Sequence, residues 1–294
     1  MPARTQRPDV TETLAWAHRN PSSYVAASLD REKAWIEWIH IEFKPTVIVA
    51  EHVLDVLALS ARDMTWATRS GQHMAMYAQA LLLSQAVADL YGSHHMAIRG
   101  MCDQAQVVGR TAVEAGLRVL FLLRHPDAWE GVFMTASDRR AVGGDPRGHR
   151  EFNATHLVRD ELAQPEIWKW FFERPSKYVH ANRMMATSKL GSVLKGDFSG
   201  YTPEAGPPPS MTDADWYAGF TNFYVNTLYF HVLLHEQVLH PHLRPEAAEL
   251  LSATKAGLRK WCAEEGNAHA GLVGNWDALV NSARVVTETA PLPT

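Results

Sequence analysis

Apolar residues recur at helical spacing along most of the chain. Arg31–Phe43 sets Trp35, Ile36, Ile39 and Phe43 on one face, and Pro45 stops the pattern. Thr46–Ala61 is apolar around nearly its whole circumference, which predicts a buried helix. Gln72–Tyr91 carries Met76, Ala80, Leu83, Val87 and Leu90 at steps of three and four. Ala97–Arg124 reads as one uninterrupted helix of about 28 residues, roughly 42 Å long, with Pro126 just beyond it. Asp127–Ala141, Arg147–Asp160, Pro165–Phe172 and Pro175–Leu190 are shorter helical pieces. Thr212–Leu239 is the second long helix, with Thr212 as its N-cap. Arg244–Glu264 and Val273–Val286 complete the set.

Sustained alternation of period two is lacking, and so is an internal repeat. The clearest break is Gly196–Met211, with Pro203, Pro207, Pro208, Pro209 and three glycines. The pattern predicts an all-α bundle with two long central helices and a proline-rich loop at 196–211. It reads as a single domain over 1–294, with a flexible arm at about 1–11 and a frayed tail at 287–294.

Composition narrows the class without changing it. The chain has 294 residues, 46% hydrophobic and 20% charged, enough to bury a substantial core and too apolar for a disordered chain. The 28 Lys and Arg stand against 32 Asp and Glu, a net charge of −4. That balance argues against a DNA-coating role. Only Cys102 and Cys262 are present, both inside helical patterns, which excludes a disulfide scaffold and suits a reducing cytosol. Met1–Glu12 has no apolar core like that of a signal peptide. Every apolar run is shorter or more interrupted than the roughly 20 residues a spanning helix needs, so no membrane segment is expected. A cytoplasmic location follows by elimination. Phosphate-loop, dinucleotide, hydrolase-elbow and His-Glu-x-x-His motifs are all missing, and no cofactor is called for.

Two constellations carry candidate chemistry. In the apolar stretch Ala112–Leu123, nine of twelve residues are apolar. Yet Gln106, Arg110, Glu114 and Arg118 recur every four residues, forming one polar line whose neighbours can pair. It is either a solvated ladder or a half-buried ionic line facing a cleft. Further on, Arg174–Lys195 holds Arg174, Lys177, Arg183, Lys189 and Lys195 with no acid among them. Pro175 suits a first helical turn, and Ser176, His180 and Arg183 then share a face while Tyr178 lies on another. The stretch is either a surface basic helix or an anion site built from Arg174, Lys177, Arg183 and Ser176 around His180, a histidine suited to act as a base.

The order of these features, Arg110-Thr-Ala-Val-Glu114 and then Arg174-Pro-Ser-Lys-Tyr-Val-His180, resembles a group of uncharacterised all-helical bacterial proteins. More distantly it is similar to the HEPN superfamily (higher eukaryotes and prokaryotes nucleotide-binding), over roughly residues 75 to 185. The resemblance implies a metal-independent endoribonuclease acting as a homodimer. Arg174 would bind the scissile phosphate and His180 would be the general acid/base. Beside them, Arg110 is a candidate for holding the anion, and Glu114 and Tyr178 are candidates for orienting. Pro175 departs from the polar residue that often follows the Arg. On a regular helix Arg174 and His180 point about 120° apart, so Arg174 would have to reach back from outside the helix.

A last group is His231 and His235, one turn apart, with Glu236, His240 and His242 nearby. Two histidines at this spacing bind zinc when a third ligand converges; otherwise they are core or contact residues. The expected function is a cytosolic helical protein with a small cleft for a nucleotide or RNA. The alternatives are a non-catalytic interaction module, and a metal-binding bundle enzyme using His231 and His235.

Overall fold

The structure, a computed structural model, describes residues 24–63, 74–133, 152–162, 164–167, 169, 214–264 and 270–289. Its elements are α1 (Tyr24–Glu42), α2 (Lys44–Arg62), α3 (Met74–Ile98), α4 (Cys102–Arg124), the short α5 (Trp129–Phe133), a π-helical turn (His156–Glu161), α6 (Ala214–Val238), α7 (Pro245–Glu264) and α8 (Ala270–Thr289). The fold is all-α, and no strand element occurs among the described residues. No described helix is long and apolar enough to cross a membrane.

Three expectations need correction. The long helix expected from Ala97 is two elements, because α3 runs on to Ile98 and the chain turns at Gly100 before α4 begins. Gly100 has φ +83°, and the Gly100 and Met101 amides bond back to Ala97 O and Met96 O at 2.9 Å each. This is a Schellman ending, which needs a left-handed residue just past the helix. A Cβ there would also lie 3.2 Å from the Trp35 ring. Next, α2 is not buried all round: Ile48, Glu51, His52 and Asp55 face outward while Val47, Val53, Leu54 and Leu57 face the core. Finally, α8 continues to Thr289, so helix replaces the first residues of the expected tail.

The core is organised around α6, which packs against α2, α3, α4, α7 and α8. Leu54 and Leu57, Leu83 and Leu90, Leu117 and Leu120, Phe220, Tyr229, Phe230 and Trp276 are all essentially buried. Each large apolar side chain removed from water contributes about 1.5–3 kcal/mol. Trp276 stacks on Phe230 at 4.2 Å between ring centroids, joining α8 to α6.

The central crossing of α4 and α6 has a specific notch pattern. A Cβ on Gly109 would lie 2.7 Å from Phe223 Cε1, and one on Gly116 would lie 2.5 Å from Phe230 Cε1. Both glycines and both phenylalanines are seven apart, so two bare backbone patches receive two rings along one seam. This seam joins helices on either side of residues 196–211 into one core. The 196–211 stretch itself and residues 1–11 lie outside the described residues.

Candidate functional site

The polar line of α4 is neither solvated nor deeply sunk. Gln106, Arg110, Glu114 and Arg118 are all half-buried. Arg118 Nη2 donates to Glu114 Oε1 at 2.8 Å, and Nη1 donates to the carbonyl of Val132 on α5 at 3.3 Å. Its guanidinium lies 5.2 Å above the Phe152 ring. The aliphatic surroundings of α4 hold this edge against α5 and the segment at 152–162. The charges are therefore positioned by packing rather than by long side chains free in water.

The line leads to a centre that the sequence did not announce. Phe152 packs edge-on to Phe121 at 5.8 Å, and Phe121 lies 5.0 Å from the His125 ring. His125 Nε2 reaches Glu161 Oε2 at 3.0 Å, beside Arg124 Nε at 3.3 Å. His156 Nδ1 reaches the other oxygen, Glu161 Oε1, at 3.0 Å. One carboxylate, its side chain only 10% exposed, thus receives two histidines and an arginine. Arg124 Nη1 also donates to Ser282 O at 3.5 Å, tying α8 to the same point.

Local sequence explains how Glu161 comes to face His156. Asn153 Oδ1 accepts the His156 amide at 3.0 Å, an N-cap bond that starts the turn. Leu157, Val158 and Leu162 are buried and anchor it. The ring then widens: the Leu162 amide bonds to Leu157 O at 2.9 Å, five residues back. A π-type turn stacks residues five apart, and His156 and Glu161 are five apart, whereas a regular α-helix would rotate them away from each other.

The chemistry follows from donors and acceptors. An ionised carboxylate only accepts, so the histidine nitrogens facing Glu161 carry the protons. His156 is 54% exposed at its side chain. With Nδ1–H held by a half-buried carboxylate, a neutral His156 turns the Nε2 lone pair away from Glu161. That is the arrangement in which a carboxylate orients an imidazole for proton transfer.

The other histidines serve the core. His231 and His235 on α6 are fully buried. His231 Nε2 donates to Ala112 O at 3.0 Å, across the α4–α6 seam. Ser60 donates its hydroxyl to Leu57 O at 2.8 Å, leaving Ser60 Oγ to accept from His235 Nδ1 at 2.7 Å. Burial lowers the His231 pKa to about 4 and pushes that of His235 well below the usual histidine value. Among the described residues no group of three or more His, Cys, Asp or Glu is placed to hold a metal ion, so no third ligand joins His231 and His235 there. Cys102 and Cys262 are buried, and burial raises the Cys262 pKa to about 11.

Of the residues singled out from sequence, Arg110 and Glu114 lie on the half-buried α4 edge. Arg174, Ser176, Lys177, Tyr178, His180 and Arg183 all lie outside the described residues. Sequence reasoning missed Glu161, His125, His156 and Arg124. The available signal was weak: an adjacent Arg124-His125 at a helix end, and a His and a Glu five apart, a spacing that means little until the turn is known to be π-type. No family model, curated protein or solved structure matches the chain.

Proposed function

We propose that the protein binds a phosphate-bearing ligand, a nucleotide or an RNA segment, along the α4 edge and acts on it by metal-independent acid–base chemistry. The observation that carries this reading is the half-buried Glu161 carboxylate holding His125, His156 and Arg124. Arg118 and Arg124 supply cations on the same side, and the acid-free stretch Arg174–Lys195 supplies more from elsewhere in the sequence. In this reading His156 takes the proton of a ribose 2′-hydroxyl. The freed oxygen attacks the adjacent phosphorus, the bond to the 5′-oxygen breaks, and His180 returns a proton to that leaving oxygen while Arg174 holds the phosphate. A cyclic phosphate and a 5′-hydroxyl result.

The test is cleavage of a mixed RNA pool in the presence of a chelator. The expected result is cyclic-phosphate ends from the wild type, reduced about a hundredfold or more in His156→Ala and in His180→Ala. No cleavage and no retention of RNA or nucleotide by the wild type at low salt would remove the reading.

A second reading, a homo-oligomeric interaction module, is favoured by a different observation. Met74, Tyr77 and Leu81 stand at helical spacing on α3, each about half exposed. Scattered exposed apolar residues are ordinary, but three in one stripe suit a contact face. Light scattering on Leu81→Glu and wild type checks it: a dimer that dissociates in the variant supports a second copy as partner.

A further inference from the structure

A separate cleft of about 490 Å³ opens between the end of α6, α7 and α8. That volume is in the range of sites that enclose small organic ligands, roughly 300–1,000 Å³. Its polar lining is Glu236, Gln237 and His240 from the end of α6 and just past it, Lys255 and Arg259 from α7, and Asp277 and Asn281 from α8. A spacing of four residues puts Lys255 with Arg259 on one face of α7 and Asp277 with Asn281 on one face of α8, while His240 stands in the turn just past the end of α6. The cleft thus brings two carboxylates, an ammonium and a guanidinium together, with His240 between the helix ends.

The two ion pairs differ. Lys255 is closed tightly on Glu236, whose other oxygen accepts the Ser252 hydroxyl at 3.3 Å. Asp277 is looser. Its Oδ1 accepts the buried Tyr229 hydroxyl at 2.8 Å, which fixes the carboxylate. Its Oδ2 lies 3.2 Å from Arg259 Nη2 but accepts no aligned hydrogen bond. Arg259 is 61% exposed at its side chain, against 18% for Asp277. A fixed acid therefore stands behind a cation that is free to swing outward.

We propose that this cleft binds a small zwitterion of the α-amino acid type, which inserts into the Asp277–Arg259 pair. The ligand's ammonium takes the place of the guanidinium on Asp277, and its carboxylate meets Arg259, with Asn281 and His240 beside them. A ligand with one charge would leave one protein charge unmatched in a half-enclosed space, which is costly. A zwitterion keeps every charge paired and replaces one misaligned contact with two charge-assisted hydrogen bonds.

The test is calorimetric titration of the full chain with the standard L-amino acids, each beside its N-acetyl and methyl-ester forms. At least one amino acid is expected to bind saturably, and either cap is expected to weaken it about tenfold or more. Asp277→Asn and Arg259→Ala are each expected to weaken it by a similar factor; thermal melts confirm that the proteins remain folded. Arg259 is mostly exposed, so its truncation stays informative even if Asp277→Asn unfolds the chain. The proposal is overturned if no amino acid binds, if capped forms bind equally well, or if neither substitution changes the affinity.

Discussion

The α6 histidines and the histidines around Glu161 put the same side chain to opposite uses. His231 and His235 are enclosed, and their partners are a backbone carbonyl and a serine hydroxyl. Neither partner stabilises an imidazolium as a carboxylate would, so burial keeps both rings neutral. His125 and His156 face a half-buried carboxylate, and His156 also faces water. The first pair stitches helices together, while the second is equipped to move protons. What separates them is the chemistry of the group each ring meets rather than its position on a helix.

This contrast breaks most visibly in the core. His231→Ala is expected to cost about 2–4 kcal/mol, because it opens a cavity and removes the second hydrogen bond of the Ala112 carbonyl. Urea denaturation at pH 7 measures it. Acid tests the same pair without mutation. A histidine whose folded pKa is depressed contributes stability that is present above the unfolded value of about 6.5 and is lost as pH falls through the folded value. For His231 that window runs from about 6.5 down to about 4, with a total of about 3 kcal/mol. The expected outcome is a denaturation midpoint that falls steadily across this window, with a shallower fall in His231→Gln.

Smaller effects are expected at the other centre. Glu161→Gln keeps the shape and loses the charge, and is expected to cost about 1–3 kcal/mol through weakened bonds to Arg124 and His125. A cost as large as that of His231→Ala would make Glu161 chiefly a structural clamp between α4, the π-type turn and α8. Smallest of all, His156→Ala is expected to move stability by no more than about 0.5 kcal/mol, as for an exposed side chain, while RNA cleavage collapses. Intact cleavage in that variant would reduce the two centres to the same structural role.

Much of the fold was legible because helix formation is local. The apolar spacing of Met76, Ala80, Leu83, Val87 and Leu90 predicts α3 directly, and the spacing around Pro126 places the end of α4. The break at Gly100 was also in the sequence, since a glycine after Arg99 is a typical helix ending; it was hidden by apolar residues on both sides. The outward face of α2 was harder to see. Ile48 stands on its solvent side with Glu51, His52 and Asp55, so hydropathy alone overstated its burial.

The candidate sites were legible only in fragments. Arg110, Glu114 and Arg118 could be paired by counting, because four residues is one helical turn. Glu161 could not be joined to His125, 36 residues away, nor Arg124 to Ser282, 158 residues away. The notches of Gly109 and Gly116 acquire meaning only once Phe223 and Phe230 lie across them.

By itself, then, the sequence determined most of the described helices and, for many, their approximate limits, since backbone hydrogen bonding and side-chain periodicity act within a turn or two. The tertiary structure alone decided which polar side chains share a carboxylate, which histidines are sealed from water, and where three helices leave a charged cleft. Those properties depend on burial and on distances across the bundle, and both arise only when segments far apart in the chain pack against each other.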